Sequence, residues 1–207
     1  MILGSSRESG GRWRRWRAVA AGADEAGTTA IEFGMVALPF FAMLFGIISV
    51  GFYYFTVFTL ENAVEEAARM IRTGQVQTRV DANGDPDPMT AAQFKQLVCD
   101  RLPPYMQDCT SAGKIRVQVQ NFTSFDSIAV PSCLDGQGAL ITDNSAVYNP
   151  GGASTVTLVT VCYEWGLPAT LPSGLWWIRP NSGNSSMMAN GSALIQAATT
   201  FVTEPYQ

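Results

Sequence analysis

Phe33 to Leu60 reads FGMVALPFFAMLFGIISVGFYYFTVFTL, 28 consecutive residues without Asp, Glu, Lys, Arg or His. As a helix rising 1.5 Å per residue the stretch extends roughly 42 Å, more than the ~30 Å that a bilayer core requires. A core helix of a soluble domain seldom runs so far without a polar stripe. The apolar part of a cleavable secretory signal is shorter, about 7 to 15 residues. The stretch is therefore expected to span a membrane once.

Outward from the span, the charges divide. Residues 1–32 hold 5 basic and 4 acidic residues, and four of the basic ones, Arg12, Arg14, Arg15 and Arg17, crowd into GRWRRWR. Basic residues beside a span stay on the cytoplasmic side, so the sequence after Leu60 is expected outside. Residues 61–207 hold 8 basic and 13 acidic residues, a net charge of −5. An acidic domain without a basic stripe argues against nucleic acid as a partner. At 147 residues, this part suffices for one compact domain. Its four cysteines, Cys99, Cys109, Cys133 and Cys162, predict two disulfides in an oxidising compartment. Three connectivities are possible, and the neighbour pairing, Cys99 with Cys109 and Cys133 with Cys162, is preferred.

The span has features of its own. Thr28 or Thr29 is placed to cap the helix N-terminus, with Glu32 near the positive end of its dipole. A carboxylate entering an apolar run is costly unless it is paired or held at the bilayer edge, so Glu32 calls for a positive partner. Pro39 removes one helical amide. Ala42 and Gly46, four apart, offer a small-residue surface for a second helix. Helicity is expected to continue through ENAVEEAARMIR, where Leu60, Val64, Ala67, Ala68 and Ile71 share a face and Glu65 and Arg69 form an i,i+4 pair. Thr73 and Gly74 mark its end.

The remainder predicts a small α+β head. DANGDPDPM, residues 81–89, is a turn-rich connector; it lacks the Gly at position six and the Glu at position twelve of a calcium loop. Thr90 and Gln93 suit a capping box opening a short helix to Cys99, with Phe94, Leu97 and Val98 inward and Pro103 and Pro104 closing it. KIRVQVQNF, residues 114–122, alternates, with Ile115, Val117 and Val119 on a covered face and Arg116, Gln118 and Gln120 toward solvent. STVTLVTVCYEW (154–165) and SALIQAATTFVT (192–203) supply two further strands. An antiparallel sheet with one apolar face must cover it, and the emerging helix is the natural cover. Trp176, Trp177 and Ile178, in a Pro- and Gly-interrupted segment, form a contact patch with three readings: against the sheet, on the outer leaflet, or on another protein.

Catalysis is disfavoured. With no histidine, Ser-His-Asp, Cys-His and His-metal schemes are absent, and no phosphate loop or dinucleotide fingerprint occurs. Asp126, Asp135 and Asp143 lie in turn-rich sequence and read as solvated. No cofactor or metal is expected.

GTTAIEFGMVALPFF resembles the TadE-like pseudopilins and minor pilins of tight-adherence pilus systems, in the type IV pilin-like class. The family pattern of a basic leader, a Gly before the processing site, and Glu fifth after the cut is met by Arg12 to Arg17, Gly27 and Glu32. Phe33 and Pro39 extend the match, as does ENAVEEAARMIRTG after the span; Asp24 and Glu25 depart from an entirely basic leader. The resemblance implies cleavage between Gly27 and Thr28 by a prepilin peptidase. It further implies bacterial inner-membrane insertion and assembly with other minor or major pilins on the inner-membrane platform. It implies no enzymatic activity. The organisation expected is a cytoplasmic leader (1–27), a transmembrane helix (28–60), an amphipathic stem (61–74) and a disulfide-bonded periplasmic or extracellular head (75–207), pilin-like in fold. The alternative from a different class is a generic single-pass membrane-anchored binding protein.

Overall fold

The computed structural model describes residues 24–110, 112–166 and 188–206. Its first element is helix α1, Asp24–Arg72, with Pro39 inside it. The helix begins at Asp24, so Thr28 and Thr29 lie within it and are not its caps.

The chain divides into two compact units, Met1–Tyr53 and Tyr54–Gln207. Described residues of the first are helical and mostly exposed. In the second, the end of α1 becomes one-sided. Leu60, Ala63, Val64, Ala67, Ala68 and Ile71 are buried, while Glu61, Asn62, Glu65, Glu66 and Arg69 face outward. Alanines at three of these buried positions let the helix backbone lie close to what it covers. The ion pair on this surface is Arg69 with Glu66, 3.8 Å apart at i,i+3, in place of the expected Glu65. Helicity stops at Arg72, and Gly74 takes φ +78°, where the ring of Tyr206 occupies the space a side chain would need.

Helix α2, Ala91–Cys99, opens with the expected capping box between Thr90 and Gln93. Its buried residues are Phe94, Lys95, Val98 and Cys99, so Lys95 takes an inward position where Leu97 was expected and Leu97 is only half-buried. Three strands follow: β1 (Ile115–Phe122), β2 (Val156–Trp165) and β3 (Ala193–Val202). They form one antiparallel sheet with β2 central; Val159 stands opposite both Val119 and Thr199. One face carries Ile115, Val117, Val119, Val159, Val161, Ile195 and Ala197, all buried. An apolar face of this kind and the apolar stripe of the stem supply the core of the α+β head.

The opposite face corrects the one-sided reading of β1. Arg116 and Gln118 are 5% and 3% exposed, as buried as their apolar neighbours. Residues 123–150 lie over them. The Arg116 Nε donates to Ile141 O at 2.5 Å and the Gln118 Nε2 to Ser132 O at 3.1 Å. Cys133 is bridged to Cys162 on the same face of β2. The segment also reaches the outer edge of β1, where Val119 N donates to Val147 O and Asn149 N to Val119 O, both at 2.8 Å. Cys99 is bridged to Cys109, and no described cysteine is free.

Candidate functional site: an exposed apolar helix and its head

From Ile31 to Phe58, the large apolar side chains of α1 point outward in every direction; Phe33 is 71% and Leu38 73% exposed. A surface of this kind is unfavourable in water by about 25 cal/mol per Å² of apolar area, which drives it into lipid or against other apolar helices. The helix is long and apolar enough to cross a membrane, with mean hydropathy 2.2 over its most apolar window. Phe41 lies 5.4 Å from Phe40 and 6.3 Å from Phe45, ring centre to ring centre, so the aromatics cluster along one side. Pro39 immediately precedes this cluster, Ala42 lies within it and Gly46 directly follows it. A side chain added at Gly46 would meet nothing within 4 Å, leaving room for close approach by another helix.

Gly27, Thr28 and Glu32 are exposed in the first turns of the same helix. Thr28 and Glu32, four apart, share a helical face. Every ion pair among the described residues lies at Glu66 or beyond, and none includes Glu32. Residues 27–69 match the family described as TadE-like protein. The likeness lies on this helix. The matched residues begin at Gly27 and end within the stem, so they take in Gly27, Thr28, Glu32, Phe33, Pro39, Ala42 and Gly46 together. No curated protein and no solved structure matches the chain.

A helix similar to the TadE-like family and a three-stranded antiparallel head are sequence and fold features consistent with a minor pilin or pseudopilin. Among the described residues no group of three or more His, Cys, Asp or Glu is placed to hold a metal.

The head uses its acidic residues structurally. In the connector, the Asp81 carboxylate accepts from Asn83 N at 2.8 Å and Asp85 N at 2.9 Å. The bonds from Asp85 and then Asn83 hold its carboxyl below the usual range. Asp135 makes the same kind of turn, accepting from Gln137 N and Ala139 N. Asp126 sits in an exposed 3-10 turn, Phe125–Ser127.

Asp143 departs from the solvated reading. Its two carboxylate oxygens accept from the buried Lys95 Nζ at 3.0 and 2.8 Å, and the Arg116 Nε lies 3.5 Å from it. Lys95 also donates to Thr110 O at 2.9 Å. This cluster joins α2, β1 and the 123–150 segment. A signal for it exists in the sequence, because Lys95 is one helical turn before Cys99 and therefore shares the face that a disulfide draws inward. Beside it, Tyr148 packs against Phe94 with ring centres 5.8 Å apart and donates to Met89 O, and burial pushes its phenol up to about 12.

The leader arginines and the patch of Trp176, Trp177 and Ile178 lie outside the described residues.

Proposed function

We propose that this chain is a minor pilin or pseudopilin that a prepilin peptidase cleaves between Gly27 and Thr28. Residues 28–60 span the bacterial inner membrane in precursor and mature protein alike, with residues 61–74 as a stem and the head on the outer side. It assembles through its apolar helix with other minor or major pilins on the inner-membrane platform. The observation that supports this is the overlap of the TadE-like match at residues 27–69 with a helix whose large apolar side chains are exposed from Ile31 to Phe58. Glu32 is the assembly residue in this reading. Cleavage creates an amine at Thr28, and a carboxylate in an apolar bundle requires such a charge, on the same chain or on a neighbouring subunit. The pair sets axial register more than it adds net stability, because both charges lose hydration.

The test is fractionation of precursor, mature membrane pool and assembled pool. Glu32→Gln is expected to insert and to be cleaved largely as wild type but to reach the assembled pool less; equal incorporation refutes the role of Glu32. Intact mass of the assembled form should correspond to 180 residues, the 207 of the chain less the 27 of the leader. Retention of Arg12 to Arg17 in that form refutes the cleavage.

A further inference from the structure

The two outer edges of the sheet are treated differently by the other described residues. At β1 the edge is paired, through Val119 to Val147 and Asn149. At β3 the hydrogen-bond pattern fixes which backbone groups look outward. Thr203 N donates to Thr155 O and Ser154 N donates to Thr203 O, so position 203 is bonded toward β2. Alternation along an antiparallel ladder then turns Phe201, Thr199, Ala197, Ile195 and Ala193 inward, and turns the N–H and C=O groups of Val202, Thr200, Ala198, Gln196 and Leu194 to the edge. Among the described residues no group pairs with these five. Strand β3 has neither charge nor proline, two of the devices that block edge pairing. A cleft of about 600 Å³ lies between this edge and the stem, lined by Glu65, Glu66, Arg69, Arg72, Thr200 and Phe201 among others. Its charges are unevenly satisfied: Glu66 is shared by Arg69 and Arg101, and Arg72 is paired with Glu204, but Glu65 is exposed and has no ion pair among the described residues.

We propose that the outer edge of β3 accepts an extended segment of a partner polypeptide as a fourth strand, with a basic side chain of that segment in the cleft beside Glu65. Main-chain bonds to the five outward residues supply affinity, and the unpaired carboxylate supplies preference among segments. The inference stands on the head and the stem and does not depend on how the apolar part of the helix assembles.

The test uses the full chain in detergent micelles and two capped decapeptides of alternating Thr and Val, one with Lys and one with Glu at the fifth position. Amide exchange is followed by NMR. The Lys peptide is expected to slow the amides of Leu194, Gln196, Ala198, Thr200 and Val202 by about tenfold or more, by pairing amides otherwise open to solvent. The Glu peptide is expected to bind about fivefold more weakly, the scale of one exposed ion pair, and Glu65→Lys to reverse that order. Ala198→Pro removes an outward N–H and no bond to β2, so it should abolish the slowing and leave the Val159 and Val161 amides protected. If those two amides lose protection, the variant has not kept its sheet and Glu65→Lys decides. No slowing of the five amides by either peptide overturns the proposal, as does an order unchanged by Glu65→Lys. Slowing without peptide that grows with protein concentration assigns the edge to a second copy and overturns it equally.

Discussion

Lys95 and Asp143 differ in their access to water, and that difference fixes which of them the head can lose. The Lys95 side chain is 9% exposed and that of Asp143 33%. Deleting the ammonium with Lys95→Met leaves a carboxylate that water reaches and that Arg116 faces at 3.5 Å. Deleting the carboxylate with Asp143→Ala leaves a buried ammonium whose remaining partner is Thr110 O. Breaking a fully buried pair costs about 3 to 5 kcal/mol and an exposed one about 0 to 1. The half-open geometry places Lys95→Met at about 1.5 kcal/mol and Asp143→Ala at about 3 kcal/mol. Because the double variant leaves neither charge stranded against the other, a double-mutant cycle should return a coupling of about 2 kcal/mol. The assay is urea unfolding of the full chain in mild detergent, followed by near-ultraviolet circular dichroism, which reports packing of the head aromatics such as Tyr148. A Lys95→Met variant less stable than Asp143→Ala, or a coupling below about 0.5 kcal/mol, refutes the reasoning.

Non-reducing peptide mapping should recover Cys99–Cys109 and Cys133–Cys162 with no alkylated thiol. Chain entropy for sequence separations of 10 and 29 gives about 2.7 and about 3.6 kcal/mol, so replacing both Cys133 and Cys162 by Ala should lower stability more than replacing the other pair. Gly74→Ala forces a side chain into the left-handed region and within 2.5 Å of the Tyr206 ring, and should lower stability by about 1 to 3 kcal/mol. Adding Tyr206→Ala should recover only the part due to the clash; full recovery would show that the backbone is not strained there. Alkaline stability should depend on Tyr148, whose folded pKa of about 12 lies above its ordinary value of 10.0. The neutral phenol is the form the fold favours, so this contribution is complete below pH ~10 and is lost as pH rises toward ~12. Tyr148→Phe should flatten that decline in pH-dependent unfolding, and an unchanged slope would count against it.

The local elements were legible because each rests on interactions between residues near in sequence. Twenty-eight uncharged residues dictate an apolar helix wherever it is placed, and Leu60, Val64, Ala67, Ala68 and Ile71 fall on one side of it by helical period alone. The capping box at Thr90 and the left-handed Gly74 follow from side-chain and backbone chemistry within a few residues. What lies on the second face of the sheet was decided by contacts distant in sequence. Alternation in KIRVQVQNF states that two faces differ in polarity; it does not state whether the polar one meets water or other backbone carbonyls. Ile141 and Ser132 satisfy Arg116 and Gln118 there, and a polar group buried with its hydrogen bonds met carries no mark in its own sequence. The same holds for Asp143, which as a turn residue reads as solvated. It becomes an ion-pair partner because the segment carrying it is laid over β1, beside Lys95, and pinned by Cys133.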